Sequence, residues 1–180
     1  AGVKASAIPA GISGHKSNQM LARLERDVLS KSPNWMTLSC GVNDVWHGKR
    51  GVNLADYKVN ITKIVDRCQD AGIKVVLLTS TMIGEDKDNA NNKKLSTYND
   101  FLKELATEKK CLLADLNAGM QSIIEASNDK KNGKLLTSDG VHMNADGNKM
   151  MATGVLEALG LNPEQIKACL LYTSPSPRDT

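Results

Sequence analysis

The sequence predicts an α/β domain on a parallel sheet, and two observations carry that prediction. Short runs that are apolar at nearly every position alternate with longer runs that are apolar on one helical face. A strand without polar alternation is buried on both faces, as in a parallel sheet covered by helices. Strand and helix in alternation place helices on both sides, a three-layer α/β/α sandwich. With 180 residues, 41% of them hydrophobic and 24% charged, the chain fits one domain with a sizeable core.

Residues 3–8 open the chain as a candidate strand whose end is weakened by Pro9. A helix over 17–30 places Met20, Leu21, Leu24, Val28 and Leu29 on one face. Residues 35–39, between Pro33 and Gly41, form the next strand. A helix over 54–71 carries Ile61, Ile64, Val65 and Cys68, and Gly72 caps its end. Residues 74–79 are a β-branched, continuous strand. A helix over 91–110 carries Leu95, Tyr98, Leu102, Leu105 and Ala106, and residues 111–114 form a further strand. The last helix spans 144–159, with Asn144 as N-cap, Met150, Met151, Val155 and Leu159 on its apolar face, and Gly160 beyond it. Residues 170–180 are Ser/Pro-rich without apolar period, which predicts a disordered tail. That tail also resembles translated adapter or vector sequence, so the domain is expected to be 1–169.

Charge and cysteine usage narrow the function. The net charge of +3 comes from scattered basic residues. The pairs Lys93-Lys94, Lys109-Lys110 and Lys130-Lys131 read as solvated helix ends or loops, and a single Phe leaves little for base stacking. No nucleic-acid partner is expected. No apolar run reaches the roughly 20 residues of a membrane span, so none is expected. Four cysteines at 40, 68, 111 and 169 form no Cys-x-x-Cys pair, which argues against zinc and thioredoxin-like chemistry. No metal or other cofactor is predicted. Cys40 and Cys111 read as small buried hydrophobes.

Three loops beside the predicted elements carry chemistry. In an open α/β sheet, functional groups gather at the carboxyl ends of the strands. Ser138-Asp139-Gly140-Val141-His142 precedes the last helix and sets a carboxylate three residues from an imidazole. That is two-thirds of a hydrolytic triad, or a helix-capping pair. Gly41-Val42-Asn43-Asp44 follows the second strand and offers an amide donor in Asn43. Ala10-Gly11-Ile12-Ser13-Gly14 follows the first.

These three blocks, in this order and on this pattern, resemble the SGNH hydrolases, also called GDSL esterases and lipases. Gly41 to Asp44 is similar to the family's Gly-x-Asn-Asp block, and Asp139 to His142 to its Asp-x-x-His block. Ala10 to Gly14 is similar to a common form of the block centred on an oxyanion glycine. The resemblance covers roughly residues 3 to 160. It implies a flavodoxin-like SGNH fold and a carboxylic ester hydrolase. It further implies His142 as general base, Asp139 as the residue orienting it, and Gly14 N–H with the Asn43 amide as the oxyanion hole.

The family's Gly-Asp-Ser block, which carries the nucleophile, has no match, and only thirteen residues precede Gly14. The resemblance implies that this block lies upstream of Ala1 and that the fold here lacks its first strand. The chain alone is then expected to be an inactive fragment. Ser13, in Gly11-Ile12-Ser13-Gly14, and Cys40 are weaker substitutes for the missing serine.

Neighbouring residues have two readings each. His47 is a pocket residue or packs on its loop. Trp46 is a pocket wall or a core anchor. Asp44 reads as a loop-fixing carboxylate rather than one that does chemistry, and His15 as an exposed turn residue or, close to Gly14, a pocket residue. The expected substrate is a small-molecule or carbohydrate ester, such as an acetylated carbohydrate or short-chain ester. The competing function is a non-catalytic ester- or carbohydrate-binding α/β module. A nucleotide-binding domain is disfavoured, because no Gly-x-Gly-x-x-Gly or phosphate-loop lysine is present. The compartment is open from the residues, and family habit points to a secreted or periplasmic protein.

Overall fold

The computed structural model describes residues 5–127 and 134–172. Helix α1 (Ser17–Asp27) leads through a short 3₁₀ turn (Leu29–Lys31) into strand β1 (Trp35–Ser39). Helix α2 (Val42–Trp46), a second 3₁₀ turn (Gly48–Arg50) and helix α3 (Leu54–Asp70) follow. Strand β2 (Lys74–Leu78), helix α4 (Ala90–Glu108) and strand β3 (Leu112–Ala114) come next. The chain then runs through α5 (Leu116–Ala126), α6 (Ala145–Ala158) and α7 (Pro163–Tyr172).

The three strands form one parallel sheet in the order β1-β2-β3. Met36 pairs with Val75 and Leu38 with Leu77, so these residues share one sheet face. That face packs with Leu24 of α1, Ile61, Ile64 and Val65 of α3, and Leu95, Leu102 and Leu105 of α4. Val76, Leu78 and Ala114 share the opposite face, where Met151, Val155 and Ala158 of α6 cover them. The expected three-layer α/β/α arrangement with a parallel sheet is therefore observed.

Helix boundaries follow local capping. The Asn53 side chain accepts from Asp56 N at 3.0 Å and starts α3, while Asn89 does the same for α4 through Asn92 N at 2.9 Å. Asn144 caps α6 as expected, accepting from Asp146 N and Gly147 N at 3.0 Å each. Gly72, with φ +76°, takes the left-handed position just past α3.

Four expectations need correction. Residues 5–8 form no strand, and Val3 and Lys4 lie outside the described residues. A strand needs a neighbour, and residues 5–9 are solvent-exposed. The tail boundary at 169/170 cuts a helix, since α7 continues to Tyr172; residues 173–180 lie outside the described residues. Leu159 is 40% exposed rather than part of the α6 core face. Cys40 is buried as expected, whereas Cys111 is half-buried just ahead of β3.

Strand β1 lies at an edge of this sheet, pairing only with β2 among the described residues. Trp35, Thr37 and Ser39, on the face that α6 covers elsewhere, are exposed. The sheet therefore leaves one backbone edge and part of one face open beside the loop that carries Asn43.

Candidate active site

The turn between Ser138 and His142 is held by both oxygens of one carboxylate. Asp139 Oδ1 accepts from Val141 N at 2.9 Å and His142 N at 2.8 Å. Its Oδ2 lies 2.7 Å from His142 Nδ1. Gly140 takes φ +95° to close this turn, a conformation L side chains rarely adopt. A carboxylate facing Nδ1 favours the tautomer with its proton there, leaving Nε2 as the free acceptor. The His142 backbone N–H, then its ring and the Val141 N–H, hold the Asp139 carboxyl well below the usual carboxylate range. The pair is open to solvent, with side chains 53% and 67% exposed.

The loop is anchored from below by Glu85, which no sequence motif marked. Its carboxylate accepts from Leu135 N at 2.6 Å, Leu136 N at 2.8 Å, and Thr137 N and Oγ1 at 2.9 and 2.8 Å. Gly84 N also donates to Gly140 O at 2.6 Å. The segment following β2 thus sets the height of the Asp139–His142 turn above the sheet.

Gly14 and Asn43 meet at a second turn. Gly14 has φ +75° and no neighbouring atom within 4 Å of the place its Cβ would occupy. Its N–H donates to no protein acceptor among the described residues. Asn43 Nδ2 donates to His15 O at 3.2 Å, which brings the amide against this turn. Gly41, with φ +140°, lets the chain leave β1 and enter α2. Asp44 is fully buried and fixes the loop, as expected: its Oδ1 accepts from Ser17 N at 3.0 Å and Ser17 Oγ at 2.6 Å. The two turns hold an imidazole oriented by a carboxylate and, at Gly14, a backbone N–H without a protein acceptor among the described residues.

Other sequence candidates fall as follows. Trp46 is 45% exposed and is not a core anchor. His47 Nδ1 lies 2.9 Å from Asn43 O, and its ring meets Trp46 edge-on at 5.8 Å. His15 is half-buried rather than an exposed turn residue, and its Nδ1 is buried without a hydrogen-bond partner. Cys40 is a poor nucleophile, because burial, then the Asp44 charge, push its thiol far up. Ser13 is exposed and makes no hydrogen bond to His142 among the described residues.

The two turns lie beyond the carboxyl ends of the strands. Cys40 O, at the end of β1, accepts from Ser80 Oγ at 2.8 Å, and the segment from Ser80 leads to Gly84 under Gly140. No hydrogen bond joins Gly14 or Asn43 to Asp139 or His142 among the described residues. Among those residues, no group of three or more His, Cys, Asp and Glu side chains is placed to hold a metal ion. A groove of about 320 Å³, lined by Asn18, Asn53, Asp56 and Asn60 among others, includes none of the candidate residues.

Comparison with known proteins finds relatives in family and in fold. Residues 2–150 match the GDSL-like lipase/acylhydrolase family. The chain is 24% identical over 157 residues to an acetylxylan esterase from Geobacillus stearothermophilus, covering 83% of this chain and 70% of that one. The crystal structure of Axe2, an acetylxylan esterase from the same organism, aligns with a TM-score of 0.77 over 84% of this chain and 71% of that one. The structure of the acetyl xylan esterase AlAXEase is 34% identical, with a TM-score of 0.74 over 83% of this chain and 79% of that one.

Proposed function

The chain belongs to the GDSL-like lipase/acylhydrolase family, and from that premise we propose a serine ester hydrolase that removes acetyl groups from carbohydrate. The observation that carries the reading is the Asp139 Oδ2 to His142 Nδ1 contact of 2.7 Å. Asp139 cannot turn away from the ring, because its other oxygen is occupied by two backbone N–H groups. The acetylxylan esterases at 24% and 34% identity support carbohydrate as the alcohol.

In this mechanism His142 Nε2 takes the proton of a serine hydroxyl as its oxygen bonds to the acetyl carbonyl carbon. Asp139 keeps the Nδ1 proton in place and stabilises the imidazolium. The carbonyl oxygen becomes anionic and accepts from Gly14 N–H and Asn43 Nδ2. Loss of one such donor costs about 3–4 kcal/mol of transition-state stabilisation. The tetrahedral adduct then collapses, and the sugar oxygen leaves with the proton from Nε2. Water repeats the sequence on the acyl-serine and releases acetate.

The serine is proposed to lie on a segment preceding Ala1 that adds a strand beside β1, which leaves the 180 residues alone inactive. Two observations support this: the sequence contains no Gly-Asp-Ser, and β1 has an open edge with Trp35, Thr37 and Ser39 exposed. The test is expression of the polypeptide extended by its upstream coding sequence, assayed on p-nitrophenyl acetate and acetylated xylan. His142→Ala should lower turnover by about a hundredfold or more. Unchanged turnover in that variant defeats the assignment. An upstream sequence with no such serine, and no turnover, favours the ester- or carbohydrate-binding module instead.

A further inference from the structure

Helix α2 is five residues long and has two unlike faces. Asp44 and Val45 point inward, at 0% and 1% exposure. Asn43, Trp46 and His47 stand at i, i+3 and i+4, so they share the other face. The Trp46 indole is therefore on the same side of the helix as the Asn43 amide.

The use of aromatic residues makes that placement informative. Aromatic residues are 3% of the chain. Tyr57, Tyr98 and Phe101 are all buried in the core, where Tyr57 and Tyr98 pack at 4.8 Å and Tyr57 and Phe101 at 6.1 Å. Trp46 is instead 45% exposed, leaving a large apolar ring in water. It is not loose: the His47 ring meets it at 5.8 Å and 63°, and His47 is itself tied to Asn43 O at 2.9 Å. The other tryptophan, Trp35, is also exposed, at 43%, but differs in its place and in what covers its ring. Trp35 begins β1, about 13 Å from Ser39 at the strand's far end. Its ring is occupied by Lys74 Nζ at 5.1 Å. No cation lies over the Trp46 ring among the described residues.

We propose that Trp46 is a sugar-binding platform, stacking on the pyranose ring next to the acylated one in a β-linked chain with equatorial hydroxyls. Equatorial hydroxyls leave the ring C–H bonds directed to its two faces. Those faces are flat and apolar and match an indole, while the hydroxyl rim stays in water or on polar groups. The Asn43 amide beside it marks where the acyl carbonyl sits, and this part of the argument rests on the esterase reading. A small aryl acetate has no second ring and does not need Trp46. The platform thus selects for oligosaccharide over simple esters.

The test is titration calorimetry of the chain with unacetylated β-1,4-xylohexaose. Trp46→Ala, Trp46→Phe and Trp35→Phe are compared, with circular dichroism confirming that each is folded. Saturable binding is expected for the unsubstituted chain, weakened about tenfold or more in Trp46→Ala. Trp46→Phe should recover most of it, and Trp35→Phe should bind as the unsubstituted chain does. Absence of saturable binding, or equal affinity in Trp46→Ala, overturns the proposal. No acyl bond is broken in this experiment. Trp46-dependent binding with no hydrolysis by the upstream-extended polypeptide would therefore defeat only the esterase reading, and an active extended polypeptide without such binding would defeat only this one.

Discussion

Ser17 and Asp44 stand 27 residues apart and share two hydrogen bonds, from Ser17 N at 3.0 Å and Ser17 Oγ at 2.6 Å to the same carboxylate oxygen. Ser17 begins α1 and Asp44 sits in the first turn of α2. Their contact presses the Gly14–His15 turn against Asn43, whose amide reaches His15 O at 3.2 Å. The spacing of the two oxyanion candidates thus depends on a buried carboxylate.

Removing the Ser17 hydroxyl should loosen that spacing. Ser17→Ala deletes a hydrogen bond to a charged, fully buried group. Bonds of that kind contribute about 1.5–3 kcal/mol. The urea midpoint should fall accordingly, and the Gly14 amide signal should shift in a two-dimensional NMR spectrum. A stability change below about 0.5 kcal/mol, the range of an ordinary surface substitution, would contradict this account.

Glu85 should prove to be a support of the His142 loop. Four donors from residues 135–137 converge on its carboxylate. Glu85→Ala leaves those backbone N–H groups without a partner, at a cost of about 1–3 kcal/mol for each one that stays buried. Amide hydrogen exchange at Leu135, Leu136 and Thr137 should accelerate, while exchange in α3 changes far less. Uniform acceleration across the chain would instead point to global destabilisation.

The Asp139 turn should open in acid. The folded carboxyl titrates below its unfolded value, chiefly because the His142 N–H, the His142 ring and the Val141 N–H favour its charged form. A depressed folded value means the contribution is complete above the unfolded value of about 3.9. It is then lost as pH falls through the lower folded value. The Asp139 carboxyl carbon signal should show its own protonation step only below about pH 4. A transition centred at or above that value would show that the contacts do not hold in solution.

Two glycines with positive φ should respond differently to alanine. Gly72, at φ +76°, has open space where a Cβ would sit, so Gly72→Ala meets only backbone strain, about 1–2 kcal/mol. Gly41, at φ +140°, would also drive its Cβ into the Ser80 hydroxyl. Gly41→Ala should therefore be the more destabilising of the two, by about 1–3 kcal/mol. Thermal melts of both variants decide it, and equal melting temperatures would mean that the Ser80 contact relaxes freely.

Much of this architecture is legible in the residues because it depends on short-range geometry. The apolar period that places Ile61, Ile64, Val65 and Cys68 on the buried face of α3 is visible before any fold is known. The residues of β1, 35–39, and the cap at Asn144 are legible for the same reason. Helix α5 was readable too and was missed. Asp115 caps it by accepting from Ala118 N at 3.2 Å, and Leu116, Met120, Ile123 and Ile124 keep helical spacing. Residues 5–8 misled because Ala5, Ser6 and Ala7 have little strand preference of their own and the segment finds no described neighbour to pair with.

The sequence by itself determined which side chains sit close along the chain, including the imidazole three residues from the Asp139 carboxylate. A three-residue turn with a glycine can close in few ways, so that pair needs little from elsewhere. The tertiary structure alone decided that Glu85 lies under Leu135, 50 residues away, and that Asp44 faces Ser17. It also decided that Trp46 is exposed while Tyr57 is buried. Contacts of that range follow strand order and helix packing. Hydrogen-bond partners far apart in sequence carry no local period that would announce them.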